Sequence, residues 1–341
     1  MRRRGLKSSC VLAAGIAASL SIPWAVSCRS HPSTKKAEST WTPARTPDGQ
    51  PDLQGIWSFA TITPLERPSD LASKEFLTDE EVAARDKDGE TRHDRPPRQG
   101  DTGTFNAFWW DEGGTVATKR TSLIVDPRDG RLPPLTPEAA KKRAAMAEAR
   151  RGIAPDTPTP GGWLEDLGPS RFRIRCLVSV NAGPPMIPVG YNHNLQIVQT
   201  AGYVVLLNEM IHSVRIVPLD GRPRLGAAGR QWSGESRGRW ERDTLIVDTT
   251  NFYGEPSLRL PGTSPNLHVI ERFTRVDAET VVYNFTVEDP TVWTRPWTGQ
   301  IPMKPAEGSI YEYACHEGNY SLRSVMAWAR TEEAAQEKKK K

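Results

Sequence analysis

Residues 191–221 read YNHNLQIVQTAGYVVLLNEMIHSVRIVPLDG. Runs of aliphatic and β-branched residues at 195–200, 203–209 and 212–218 have the composition of strands. Ala201-Gly202 is too short for a parallel crossover, so the first two runs pair as a hairpin. Asn208, Glu209 and His212 interrupt the apolar pattern. Alternation along a continuous strand puts Asn208 and His212 on one face and Glu209 on the other. Only a turn or bulge near Met210 brings Glu209 and His212 together.

The pattern extends outward. Further strands are expected at 172–180, 236–240, 244–250, 267–276, 280–288, 291–297 and 309–315, with hairpin-length links at Arg242-Asp243 and Asp277-Ala278-Glu279. Val281, Tyr283, Phe285 and Val287 alternate with more polar neighbours, as in a strand buried on one face. Upstream, Thr78-Asp79-Glu80-Glu81 is a capping box that opens a helix towards Lys87. Residues 88–103 and 152–162 have loop composition, 105–110 and 115–125 read as a hairpin, and Thr136-Pro137 starts a helix over 139–151. Leu322, Val325, Met326 and Ala329 fall at helical spacing within a last helix, 320–336. The expected class is mainly β, an antiparallel lipocalin-like (calycin-type) barrel or strongly curved sheet. It carries a helical and irregular N-terminal insertion and a C-terminal helix.

The N-terminus has Arg2, Arg3, Arg4 and Lys7 before an apolar run from Cys10 to Val26, the pattern of an export signal over 1–27. The arginines fit general secretion and, more loosely, twin-arginine export. Ala25-Val26-Ser27-Cys28 has the form of a lipoprotein processing box, with Cys28 as the lipidated residue. Residues 28–46 then serve as a flexible tether. The expected organisation continues with 47–169 (first strand plus insertion), 170–318 (barrel core), 319–336 (helix) and 337–341 (basic tail). The expected location is periplasmic or outer-membrane lipoprotein, otherwise secreted, with a membrane contact through the anchor if Cys28 is modified. The formal charge of +4 falls to zero without the four basic leader residues, so no nucleic-acid partner is expected. Cys10 lies in the leader, which leaves Cys176 and Cys315 as the expected structural disulfide of an oxidising compartment.

Two resemblances bear on this reading. Gly55-Ile56-Trp57 is similar to the G-x-W that opens lipocalin-type barrels. The segments PDLQGIW, RTSLIVDPRDGRLPPLTPE, GYNHNLQIVQTAGYVVLLNEMIH, SRGRWERDTLIVDTTNF, LHVIERFTRVDAET, DPTVWTRPWT and YEYACHEGNY resemble an uncharacterised family of exported bacterial proteins. That resemblance spans 51–333 and implies export without implying an activity, cofactor or substrate. His193 and Arg242 stand where its pattern has Asn and Gly, which weighs against His193 as an essential ligand and marks the Arg242 turn as strained or differently typed.

Three chemistries compete. A closed barrel leaves room for one small apolar or sugar-like molecule, with Asn208, Arg215, Trp240, Thr249, Asn251, Trp293 and Glu312 as lining. A hydrolase or isomerase in the same cavity would use Glu209, His212 and Glu271 for proton transfer. No cofactor is required, but His212, His268 and His316, each near a carboxylate, are the residues that could hold a divalent metal. The third reading is a structural envelope protein with a filled lumen. No G-x-S-x-G elbow, P-loop or H-E-x-x-H motif is present.

Overall fold

Ten strands form one antiparallel sheet in the computed structural model, which describes residues 41–91, 118–152, 175–254 and 263–340. They are β1 (Gly55–Ser58), β2 (Ile124–Asp126), β3 (Asn194–Gln199), β4 (Tyr203–Asn208), β5 (Ser213–Pro218), β6 (Glu235–Glu241), β7 (Thr244–Thr250), β8 (His268–Asp277), β9 (Thr280–Glu288) and β10 (Trp297–Pro305). The order is β5-β4-β3-β1-β10-β9-β8-β7-β6, with β2 on β10. The two ends of this order approach each other, so the sheet nearly closes into a barrel. Gly238 on β6 is the contact point: a Cβ there would stand 2.8 Å from Val217 Cγ1 and 2.6 Å from Leu219 Cδ2. Only glycine permits that approach.

The strands at 195–200, 203–209, 212–218, 236–240, 244–250, 267–276 and 280–288 form as their pattern requires, each within a residue or two at its ends. Others differ. Residues 175–180 lie in turns, not a strand, and 309–315 is irregular; residues 171–174 fall outside the described set. The last strand begins at Trp297, where 291–297 was expected to end, and runs to Pro305 through Gly299 and Pro302. Pro302 is tolerated because of where its nitrogen points. The Gln300 N–H donates to Leu123 O at 2.9 Å, on the side away from β9. Pro302, two residues on, directs its nitrogen to that same side, where the β2 pairing has ended and the β1 pairing has not begun. Of the expected 105–110/115–125 hairpin, 105–110 lies outside the described residues and Ile124–Asp126 pairs with β10.

The helices are α1 (Asp79–Thr91), α2 (Pro137–Ala149) and α3 (Ser321–Lys340). The capping box holds α1: Glu81 N–H donates to Thr78 Oγ1 and Thr78 N–H to Glu81 Oε2. Thr136 caps α2 through Ala139 N–H, with Pro137 in its first turn. α3 continues through the lysines read as a tail, since Ala, Glu, Gln and Lys all favour helix. Among the described residues no helix is long and apolar enough to cross a membrane.

Inward positions of the strands fill the interior. Phe59, Phe252, Phe273, Tyr283, Phe285, Trp293 and Trp297 are almost wholly buried, together with Leu195, Val247 and Met303. Gly299 lets Phe285 cross directly over the β10 backbone. At the β6–β7 turn Arg242 takes φ 55°, a left-handed conformation that costs a non-glycine residue about 1–2 kcal/mol. Arg242→Gly is expected to raise stability by about 0.5–1 kcal/mol after the added chain entropy of glycine is counted, as read from urea denaturation. The disulfide forms between Cys176 and Cys315, 139 residues apart. Cys176→Ala/Cys315→Ala is expected to lower stability by about 2–5 kcal/mol in the same assay.

Candidate functional site

Two polar groups of residues stand out against this apolar interior. The first is inside the barrel. Arg215 on β5 and Glu271 on β8 form a two-pronged ion pair, Nη1 to Oε2 at 2.5 Å and Nη2 to Oε1 at 2.9 Å. Both side chains are withdrawn from solvent. The Tyr283 hydroxyl donates to Glu271 Oε1 at 2.8 Å and accepts from Met186 N–H at 3.0 Å. Burial opposes the Arg215 charge, but the adjacent Glu271 more than offsets it and holds the guanidinium pKa above its ordinary value. Burial, then the Glu271 charge, pushes the Tyr283 phenol well above its usual range, so it remains a donor.

This arrangement corrects the roles expected from sequence. Glu271 has no exposed surface and both of its oxygens are engaged, so it cannot reach a substrate. Arg215 points inward as expected, but to a carboxylate rather than a ligand. Thr249 is buried against the Ser236 hydroxyl, Trp293 is packed edge-on to Trp297, and Trp240 leans on the core. Asn251 holds Gly226 O, Gly229 O and Glu235 Oε2 at 3.3–3.4 Å. Glu312 is exposed, outside the sheet. Among the described residues the expected lining positions serve packing, hairpins or surface, and aromatic rings pack in the same core as the inward ones. A cavity of about 70 Å³ lies elsewhere, between Thr63, Leu77, Arg85 and Arg120.

The second group lies at the β4–β5 turn. The turn near Met210 is present: Asn208 pairs with Ser213, and Glu209 to His212 make a tight connection closed by His212 N–H on Glu209 O at 3.0 Å. Ile211 (φ 57°) and His212 (φ 42°) are both left-handed. That is costly, above all for a β-branched residue. Glu209 is nearly buried at 6% exposure, and its Oε2 accepts from Asn194 Nδ2 at 2.9 Å while its N–H donates to Asn194 O. His212 faces solvent, so the two side chains share a turn without bonding to each other. Asn208 donates to Ala182 O, and its Oδ1 is buried with no partner.

What holds the strain is a satellite core of Cys176, Ala182, Met210 and Ile211, against which Tyr191, Tyr313 and Cys315 pack. It gathers residues 175–194, the turn and the segment after β10 at one end of the barrel. Asn181 supports it by donating to Tyr191 O and Asn192 O. His193 is fully buried, its Nε2 accepting from Val189 N–H at 2.9 Å, which makes it a structural residue. Tyr311 and Tyr320, in the chain flanking Cys315, are strongly exposed.

The histidines do not assemble. His268 lies on the outer face, opposite in alternation to Glu271, with Nε2 on Asp248 Oδ1 and Nδ1 on Glu288 Oε2, each at 3.1 Å. His212 and His316 are exposed. Among the described residues no group of three His, Cys, Asp or Glu side chains could hold a metal ion. From sequence neither Asn194 nor Asn181 stands out, and Tyr283 is placed only as a buried strand position. An inward Tyr in a core strand is a signal, because its hydroxyl needs a partner when buried. Comparison with protein-family models, curated proteins and solved structures finds no match.

Two outcomes are expected. Arg215→Met or Glu271→Leu alone should cost about 3–5 kcal/mol by leaving one buried charge unpaired, and the double variant should recover most of it in denaturant titrations. Donation to the Asp248 carboxylate, and after it to Glu288, raises the His268 pKa above its ordinary value of 6.5. The stability from this pairing is therefore fully present below about 6.5 and is lost as pH rises through the folded-state value. The stability gap between wild type and His268→Gln should accordingly be constant below about pH 6.5 and shrink as the pH rises above it.

Proposed function

We propose that this is an exported binding protein that takes a sugar-like small molecule at the end of the barrel built by the β4–β5 turn and the disulfide-linked segments. The observation that carries it is Glu209, a nearly buried carboxylate fixed by Asn194 within a turn that holds two non-glycine residues in left-handed conformations. Such strain persists where the surroundings over-determine it, and it gathers at ligand sites. A carboxylate beside an amide accepts and donates to hydroxyls. Tyrosines on the flanking segments offer faces on which a sugar ring stacks. The aromatic rings packed among the inward residues favour this end over the lumen as the place of binding.

Export is supported by the basic and apolar leader, by Cys28 in its lipoprotein-like box and by the disulfide, which needs an oxidising compartment. A catalytic version of the same site rests on Glu209 with His212, since Glu271 is sequestered.

Calorimetry against neutral mono- and oligosaccharides tests the proposal. Binding that weakens at least about tenfold in Glu209→Gln and in Asn194→Ala, with folding unchanged, is the expected result. No binding to any sugar, or binding indifferent to both variants, would overturn it and leave the structural reading, for which the packed interior already speaks.

A further inference from the structure

The outer wall of the barrel is divided. On β7–β9 the outward face carries an interlinked polar network among Ile246, Ile270 and Val282: Asp248, His268 and Glu288 are joined, and Arg272 bonds to Thr286. On β3–β5 the pattern is inverted. Arg215, the one charged residue in these three strands, points inward; the outward positions of β4 and β5 are Tyr203, Val205, Leu207, Val214, Ile216 and Pro218, and β3 adds Val198 beside the uncharged Asn194 and Gln196. Cross-strand register makes them contiguous. Val198 stands opposite Val205, which stands opposite Ile216, and in the next row Leu207 faces Val214. Val214 is 52% exposed and Ile216 63%.

A strand that is apolar on both sides is what a doubly covered sheet contains. Here, among the described residues, only the inner side is covered. Contiguous exposed aliphatic surface of this kind marks an interaction face.

We propose that this face is the interface of a homodimer, packed sheet against sheet on a second copy of the chain. Charge selects that occupant. A two-fold axis through the patch sets each outward residue against outward residues of the same three strands, and like charges there would repel. A face with no charge at any outward position meets this condition. A charged peptide or an acidic or basic protein partner would find no counter-charge on it. A lipid surface is disfavoured for the same reason: the strands present no outward Lys or Arg to anionic headgroups, and Arg222, beside Tyr203, is already paired with Asp220.

Sedimentation equilibrium of the full chain tests this. Wild type should show twice the chain mass. Ile216→Lys and, from β3, Val198→Lys should each raise the dimer dissociation constant at least about tenfold, whereas Thr286→Lys on the polar half should leave it unchanged. Both β3–β5 positions are solvent-facing, so circular dichroism should report an intact fold. If Ile216→Lys fails to fold, Val198→Lys carries the test. A wild-type chain that is monomeric up to about 100 µM would overturn the proposal, as would undiminished association in the lysine variants. Flotation with neutral and anionic vesicles reads the competing occupant: vesicle binding by a monomeric wild type, lost in Ile216→Lys, would reassign the face to a lipid surface.

Discussion

A guanidinium and a carboxylate withdrawn from water are costly to keep, and the barrel keeps them by giving each nearly everything it needs. Arg215 and Glu271 meet on two prongs, Tyr283 donates to the carboxylate, and Met186 N–H completes the chain. Desolvation cancels much of the Coulombic gain, so the pair adds little net stability over an apolar replacement. Its consequence is geometric. β5 and β8 are not neighbours in the sheet, so the pair spans the interior and fixes where β5, the end of the strand order, must lie. A one-residue slip of β5 would turn Arg215 outward and leave Glu271 buried alone. Closure therefore depends on one register, and Gly238 supplies the clearance that this register needs.

The same chain of bonds reaches the barrel end. Met186 belongs to the segment that begins at Cys176 and leads into β3, so the interior ion pair anchors the covering that the disulfide also anchors. Between these fixed points the β4–β5 turn holds Ile211 and His212 in conformations that a free hairpin would abandon. Burial of Met210 and Ile211 in the satellite core offsets that cost. Rigid support on both sides fixes the orientation of Glu209, which is what the proposed binding role asks of it, since a preset orientation lowers the cost of binding.

Much of the fold was legible because strand alternation and turn composition are local. Val281 to Val287 could bury only one face, and Ala201-Gly202 could connect only antiparallel strands. β10 was not legible, since Pro302 argues against a central strand unless one knows that β2 and β1 leave a gap on that side. The candidate site was half legible. The need for a turn at Met210 followed from alternation, but the burial of Glu209 and its bond to Asn194 depend on strands brought together only by the hairpin. His268 and Glu271 look adjacent in sequence, yet they lie on opposite faces of β8, one in a surface network and one in the core.

The sequence by itself determined the antiparallel β architecture and the helix starts at Thr78 and Thr136, because each rests on spacing or on chemistry that a neighbour a few residues away can satisfy, and it named the two cysteines left to pair, because elimination left no others. Tertiary structure alone decided that Arg215 would meet Glu271, that aromatic rings would fill the interior and that the polar turn would be strained and half-shielded. Those outcomes depend on which face of which strand crosses which other, a relation between residues far apart in the chain that no local pattern encodes.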